Sequence, residues 1–386
     1  MLDLEIERTF DRYRDLLEDL SFPAVRRWKE ANPGRKAVGF FPVYAPVEIL
    51  HAAGMLPVGL AGAGDRLDIQ HADARFGSFI CSIIKTTLEM GMTGHLEPFE
   101  GLLFSSICDS ARNLAFVMKR NFPQKYIDFL HLPHNPSSPA SVEFLAAEYR
   151  RLIGELTTIG GDFNDDKLRA SIALFNRQRE LVRRLYALRA ASPHLLRAWE
   201  CYVVVRAGNV MPVEEHIALL EQVAASAPRR GAKKRDSLRV VVEGAFCEQP
   251  PLEVIRLIEE AGCDIVEDDF ALAPRWFTED VPSAGDPVLA LAEAYVNRSV
   301  YSSVRHDFRK PRWLGLAEKT KVSRADAVIF LMAKFCEPAY FDYVPFKQQV
   351  ELMGLPHLAL EYEEKLFTFE RLRTEVETFV ESLVFD

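Results

Sequence analysis

The feature that most constrains the fold of this 386-residue chain is an internal duplication. Residues 38–60 and 239–268 each read as a short apolar strand, a turn, a helix that opens with Pro-x-Glu and closes at Gly, and a second apolar strand. Apolar runs that alternate with helices are typical of parallel sheets covered on both faces. Pro in the first helical turn and Gly after the last turn match the usual preferences at helix ends. The duplication therefore predicts two α/β domains of the same architecture.

Two further apolar segments in each half complete the predicted sheets. Residues 101–106 and 126–130 supply the third and fourth strands of the first half, and residues 327–332 and 356–360 supply those of the second half. We therefore predict an α/β protein with two Rossmann-like or flavodoxin-like domains, each built on a parallel sheet of roughly four strands. A chain of this length can contain both, since a domain takes roughly 150 residues.

Helical segments fill the sequence outside the two predicted sheets. Residues 4–28 and 141–223 carry apolar residues at three- and four-residue spacing, with charged residues on the other faces. The predicted organisation has four regions, which are an N-terminal helical segment (1–35), a first α/β domain (36–140), a helical middle and linker (141–235) and a second α/β domain (236–386).

Charge and hydropathy exclude several classes of partner. The net charge of -9 argues against nucleic acid, because phosphate binding needs a basic face. The basic residues 229–235 are an exception that we interpret as a solvated linker, with a docking patch for an acidic partner or a ligand phosphate as the alternative. No segment resembles a secretory signal, and no apolar run reaches the roughly 20 residues that a membrane span requires. We expect a cytoplasmic protein with no membrane partner.

Two of the six cysteines occupy equivalent places in the two halves. Cys108 and Cys336 each follow the predicted third strand, and open parallel sheets bind ligands beyond the carboxyl ends of their strands. Cys81 lies near the predicted start of a helix, where backbone N–H groups favour the thiolate. Three thiolates from separate segments suit a soft metal or an iron–sulfur cluster. Because the chain has no C-x-x-C pair, inert packing of each cysteine is the alternative.

The other three cysteines are interpreted one by one. Cys201 lies in an apolar helical run and Cys263 directly precedes a strand, so core packing is expected for both. Cys247 follows the first strand of the second half and should therefore also lie at the carboxyl edge of a sheet. It is either an additional ligand or, as is more common, a small residue that packs the turn between strand and helix.

Four passages resemble the subunits of 2-hydroxyacyl-CoA dehydratases and benzoyl-CoA reductases. They occur in the family's order at residues 41–58, 106–110, 262–269 and 334–338. The resemblance extends from near residue 36 to the C terminus. Within the family, the length and residues 305–313 and 333–343 look most like the smaller, gamma-type C subunit of ATP-dependent benzoyl-CoA reductase.

This resemblance implies a cofactor and a set of partners. The cofactor is an iron–sulfur cluster, usually [4Fe-4S], held by three cysteines that map onto Cys81, Cys108 and Cys336. The partners are a larger homologous sibling subunit, ATP-hydrolysing electron-activating subunits and ferredoxin, and the substrate is an acyl-CoA. The sequence has no G-x-x-x-x-G-K-[ST] motif, so ATP hydrolysis is expected in the separate subunits.

Three other polar residues are weaker candidates. Ring reduction needs a proton donor, and His306 can serve, with a structural ion pair as the alternative role. Glu48 and His51 lie on the first predicted helix, where capping and core hydrogen bonding compete with substrate contact.

Three functions are compatible with these features. The first is an iron–sulfur subunit of ATP-dependent benzoyl-CoA reductase, which takes part in the ferredoxin-driven reduction of benzoyl-CoA to cyclohexa-1,5-diene-1-carbonyl-CoA. The second is a subunit of a 2-hydroxyacyl-CoA dehydratase, a lyase in which one recycled electron enables the loss of water. The third is a non-catalytic assembly subunit whose cysteines only pack. In the first two, the cluster either binds substrate through an open iron or relays electrons.

Overall fold

Two four-stranded parallel sheets form the framework of the protein. The computed structural model describes residues 2–245, 247–300, 307, 310–363 and 369–384. The strands of the first sheet are β1 (Ala37–Phe40), β2 (Leu56–Gly59), β3 (Gly101–Ser105) and β4 (Tyr126–Leu130). Those of the second sheet are β5 (Leu238–Glu243), β6 (Cys263–Asp268), β7 (Ala327–Ala333) and β8 (His357–Tyr362). The predicted fold class, with two parallel sheets of four strands, is confirmed.

Both sheets have the same strand order. The first runs β2-β1-β3-β4 and the second runs β6-β5-β7-β8, with every neighbouring pair parallel. In each sheet the chain leaves the two central strands in opposite directions, which opens a crevice at their carboxyl ends. The fold therefore offers one such crevice in each half.

The described residues form fifteen α-helices around the sheets. They are α1 (Leu2–Glu18), α2 (Pro23–Ala31), α3 (Val47–Ala52), α4 (Ser82–Met92), α5 (Asp109–Asn121), α6 (Ser141–Thr158), α7 (Asp165–Ala191), α8 (Ala198–Ala207), α9 (Val213–Ser226), α10 (Leu252–Glu260), α11 (Leu272–Arg275), α12 (Pro287–Asn297), α13 (Trp313–Ser323), α14 (Glu337–Leu352) and α15 (Glu370–Val384). The helical N-terminal and middle segments are confirmed. None of the helices in this described part combines the length and apolar composition needed to cross a membrane.

The ends of the two equivalent helices differ slightly from the sequence prediction. Pro46 and Pro251 are the N-cap residues of α3 and α10, so each helix begins one residue later than a proline in the first turn would imply. Gly54 and Gly262 follow the two helices with φ of 76° and 100°. Glycine adopts this left-handed conformation without the steric penalty of a side chain, which lets the chain reverse into β2 and β6.

One helix from the second half of the sequence packs on the first half. Leu291 and Tyr295 of α12 are buried in the same hydrophobic cluster as the residues of β1 and β3. Tyr44, which follows β1, lies with its ring centroid 4.1 Å from Trp276 and 5.8 Å from Tyr295. The packing of α12 joins the two halves through apolar contacts. The internal duplication in the sequence did not predict it.

A buried ion pair ties the helical middle to the second sheet. Arg189 of α7 lies 2.6 Å from Asp268 at the end of β6, and both side chains are fully buried. Tyr186 donates a hydrogen bond to the same carboxylate at 3.0 Å, and Arg275 lies 2.9 Å from it. Burial alone would raise the pKa of Asp268, but Arg189 and Arg275 hold it below its usual value. The carboxylate is therefore ionised in the folded protein.

Removing this charge tests its contribution to the fold. We expect Asp268→Asn to lower the free energy of unfolding by about 3–5 kcal/mol, because Arg189 would stay buried without its ion-pair partner. Asp280→Asn is the control, since Asp280 pairs with Arg183 at 2.7 Å on the surface. Such an exposed pair contributes less than about 1 kcal/mol. Urea unfolding followed by circular dichroism measures the free energy of unfolding of both variants. An equal decrease in the two would contradict the expectation.

Candidate metal centre

Three cysteines occupy the same kind of position in the fold. Cys81, Cys108 and Cys336 are the N-cap residues of α4, α5 and α14. A helix that follows a strand in a parallel α/β unit begins at the carboxyl edge of the sheet. All three sulfur atoms therefore lie at the carboxyl edges of the two sheets, where the strand pattern predicted Cys108 and Cys336. Cys81 lies at the start of a helix, as the sequence also predicted.

A fourth cysteine reaches the same region from the second half. Cys247 follows β5 and is buried in the hydrophobic cluster that forms the core of the first half. Cys81 and Cys108 pack against that same cluster, whereas Cys336 belongs to the core of the second half. The cysteines of the two halves thus meet where the two cores adjoin.

The residue after Cys247 makes a direct hydrogen bond between the halves. The carboxylate of Glu248 accepts a hydrogen bond from the backbone N–H of Ile83, in the first turn of α4, at 3.0 Å. Tyr362, at the end of β8, donates its hydroxyl hydrogen to the backbone oxygen of Glu248. Glu248 is buried, so both bonds are shielded from water. These contacts hold the segment with Cys247 beside the helix that Cys81 caps.

The pKa values of the thiols reflect this crowding. Burial is the largest cause that raises the pKa of Cys81 and Cys247, and negative charge on the neighbouring cysteines raises it further. Burial also raises the pKa of Cys108, and that of Cys336 to about 12. First-turn amides of α4, α5 and α14 act in the opposite direction but do not outweigh burial. A bound soft metal would supply positive charge that favours the thiolates.

Within the described residues, no group of three or more His, Cys, Asp or Glu side chains is arranged to hold a single metal ion.

The backbone beside Cys336 is strained. Phe335 has a φ of 64°, in the left-handed region that a bulky side chain rarely adopts. Such a conformation costs about 1–3 kcal/mol and is common at functional sites. Its ring is 39% exposed and lies against the ammonium group of Lys334 at 5.2 Å. The sequence does not indicate this conformation, because residue type alone does not determine a φ angle.

A polar network behind Cys247 was also missed by sequence analysis. Asp269 accepts hydrogen bonds from the N–H groups of Gly244 and Ala245 at 2.8 and 3.1 Å, which orders the start of the loop that carries Cys247. Arg312 lies 3.5 Å from Glu243 and 3.6 Å from Asp269. Burial and the nearby Glu243 raise the pKa of Asp269 to about 7. In the sequence, the acidic residues at the ends of two adjacent strands could have indicated this network.

The remaining sequence candidates lie elsewhere. Glu48 forms a buried ion pair with Arg179 at 2.6 Å, and His51 hydrogen-bonds Ser171 at 3.0 Å, so both side chains contact α7. His306, the predicted proton donor, lies outside the described residues.

The two cysteines that were expected to fill the core are both buried. Cys201 packs in a third cluster within the helical middle, and Cys263 is the first residue of β6, at the amino edge of its sheet.

Comparison with known proteins identifies the family. The family model described as "2-hydroxyglutaryl-CoA dehydratase, D-component" matches residues 42–383. The chain belongs to this family. The C subunit of benzoyl-CoA reductase from Thauera aromatica is 38% identical to it, over 96% of this chain and 97% of the relative. The (R)-phenyllactyl-CoA dehydratase beta subunit of Clostridium sporogenes is 30% identical to it, over 98% of this chain and 99% of the relative.

A further relative is the beta subunit of (R)-2-hydroxyglutaryl-CoA dehydratase from Acidaminococcus fermentans, 27% identical over 94% of this chain and 96% of the relative. These similarities confirm the resemblance that the four sequence passages indicated. The chain is therefore an enzyme subunit of this family.

The bond between Glu248 and Ile83 can be tested by substitution. We expect Glu248→Ala to lower the free energy of unfolding by about 1–3 kcal/mol, because it leaves the buried N–H of Ile83 without an acceptor. Glu248→Gln keeps an oxygen at that place and should lose less. Urea unfolding gives both values, and hydrogen exchange reports on the Ile83 amide. Unchanged protection of that amide in Glu248→Ala would contradict the assignment.

Proposed function

We propose that this chain is the iron–sulfur subunit of an ATP-dependent benzoyl-CoA reductase, taking part in the reduction of benzoyl-CoA to cyclohexa-1,5-diene-1-carbonyl-CoA. The observation that carries the proposal is the 38% identity to the C subunit of a benzoyl-CoA reductase along nearly the whole of both chains. The two dehydratase subunits compared above have identities of 30% and 27%. The grouping of four buried or half-buried cysteines where the two halves adjoin supports redox chemistry over a purely structural role.

Cys81, Cys108 and Cys336 would hold the cofactor, which we propose to be a [4Fe-4S] cluster. Such a cluster supplies one-electron transfer at low potential when it is bound. Its cysteine ligands bind different iron atoms, so they surround a volume and need not meet at one point, unlike the ligands of a single ion. Three cysteine sulfur atoms, from a buried Cys336 and half-buried Cys81 and Cys108, are a donor set that fits this requirement.

The surrounding residues would favour a reduced, negatively charged centre. The amino ends of α4, α5 and α14 carry partial positive charge and lie at the three cysteines that cap them. Ile83 and Ile107, which lie close to two of these cysteines along the chain, are buried and exclude water. A dry site limits the loss of electrons to protons. His306 is the proposed proton donor for the ring.

Exposed aromatic side chains near the site support a partner subunit. Phe79 precedes Cys81 and is 69% exposed, and Phe341 in α14, the helix that Cys336 caps, is 78% exposed. Exposed apolar groups of this size commonly mark protein interfaces. We propose that they contact a larger homologous sibling subunit. This sequence lacks a phosphate-binding loop motif, so ATP would be hydrolysed by separate subunits. Fed by ferredoxin, those subunits would deliver the electrons, and the proposed location of the complex is the cytoplasm.

A subunit of a 2-hydroxyacyl-CoA dehydratase is the second candidate. It is favoured by the family match and by the dehydratase subunits of similar length among the relatives. Both candidates use the same scaffold and the same cysteines.

The ligand assignment predicts which cysteines control iron content. We expect Cys81→Ala, Cys108→Ala and Cys336→Ala each to lose most of the iron and sulfide bound per chain after anaerobic purification, because each removes a cluster ligand. Cys201→Ala, a change at a buried cysteine of the helical middle, should keep the wild-type content. Colorimetric iron and sulfide analysis with visible absorption measures the effect. A colourless wild-type protein would instead favour an assembly subunit.

Reaction stoichiometry separates the two enzyme candidates. Ring reduction takes up electrons in every turnover, so ATP consumption should rise in proportion to the product formed from benzoyl-CoA. A dehydratase recycles its electron and needs only occasional activation. The assay uses the assembled complex with benzoyl-CoA or (R)-phenyllactyl-CoA and measures ATP hydrolysed per product. Product from the hydroxyacyl-CoA that far exceeds the ATP hydrolysed would overturn the reductase assignment.

A further inference from the structure

We propose that Cys247 is a fourth protein ligand of the cluster, so that each iron in this subunit is bound by a cysteine. The inference rests on the proposed cluster at Cys81, Cys108 and Cys336. It replaces the simpler interpretation that Cys247 only packs the turn after its strand.

The sheet order places Cys247 at the crevice of the second half. β5 and β7 are the adjacent central strands of the order β6-β5-β7-β8, and the chain leaves them in opposite directions. Cys247 lies in the segment after β5, and Cys336 lies in the segment after β7. Ligands bind at this point in open parallel sheets. The second sheet thus presents two cysteines, one from each central strand.

A glycine brings the segment after β5 close to β7. Gly244 has a φ of 123°, and a Cβ atom there would lie only 2.8 Å from the backbone oxygen of Leu331. No other residue fits this approach without moving the strand. Gly244 therefore keeps the segment after β5 close against β7, the strand that precedes Cys336.

Contacts with the first half fix the other side of Cys247. The bond from Ile83 to Glu248 ties the next residue to the first turn of α4, which Cys81 caps. Cys247 itself is buried in the cluster against which Cys81 and Cys108 pack. Cys247 is therefore held between the cysteines of the first half and Cys336 of the second.

The electrostatic surroundings of Cys247 differ from those of a cysteine that only fills a core. After burial, the groups with the largest influence on its pKa are Cys336, Cys108 and Cys81, followed by Glu248. None of these strongest neighbours among the described residues is a cation. Cys263, by contrast, interacts with Asp264 and Glu259 and with none of the four cysteines named here. Cys247 therefore lies near the three proposed ligands, whereas Cys263 does not.

The coordination has a functional consequence. With four cysteine ligands, no iron position is open to a thioester oxygen, so this subunit would pass electrons on and the substrate would react elsewhere in the complex. Three ligands would leave one iron exposed and exchangeable.

Mild oxidation of the full-length chain distinguishes the two cases. An iron atom without a protein ligand is lost when a [4Fe-4S] cluster is oxidised, leaving a [3Fe-4S] form with its own electron paramagnetic resonance signal. We expect the wild type to keep its iron and Cys247→Ala to lose about one iron in four and to show that signal. Cys263→Ala is the matched control, a buried cysteine at the opposite edge of the same sheet, and should behave as the wild type.

The outcomes separate this inference from the function on which it rests. Loss of one iron in four from the wild type itself would overturn the role of Cys247 and leave the three-cysteine cluster intact. Retention of all iron by Cys247→Ala would also overturn it. A wild type without iron or sulfide would overturn the proposed function as well. If Cys247→Ala does not fold, the wild-type measurement alone still decides.

Discussion

The grouping of four buried or half-buried thiols at the junction of two sheets is the constraint on which the rest of this structure depends. Burial raises the pKa of Cys81, Cys108, Cys247 and Cys336, and the proximity of their sulfur atoms adds to the cost of ionising them. The fold offsets part of this cost by aiming the amino ends of three helices at the site. A positively charged metal core would offset the remainder.

The two halves must be held rigidly together, since neither supplies all four cysteines. The apolar packing of α12 on the first core and the bond between Glu248 and Ile83 do this directly. The buried pair of Arg189 and Asp268 ties the helical middle to the second sheet. Most of the partners are buried, so water does not compete for them. A site divided between two such interlocked units changes its dimensions little, which suits electron transfer with small rearrangement.

Membership in a family with both reductase and dehydratase relatives means that the scaffold alone does not determine the reaction. For the proposed cluster, the number of protein ligands would bear on the reaction. A fourth cysteine closes the coordination and restricts the subunit to electron relay, whereas an open iron can bind a thioester oxygen. The position of Cys247 is therefore the feature of this chain that bears most directly on its share of the chemistry.

The sequence by itself determined the two sheets, the helical segments and the family. Buried parallel strands are continuously apolar, and Pro and Gly mark helix ends, so local patterns suffice. It also located Cys108 and Cys336 from strand ends and Cys81 from a predicted helix start, and the family resemblance joined the three as candidate ligands. Only the tertiary structure decided that α12 packs on the first half, that Phe335 adopts a left-handed backbone and that Cys247 is buried in the core of the first half. These features depend on contacts between residues far apart in sequence, which no local pattern encodes.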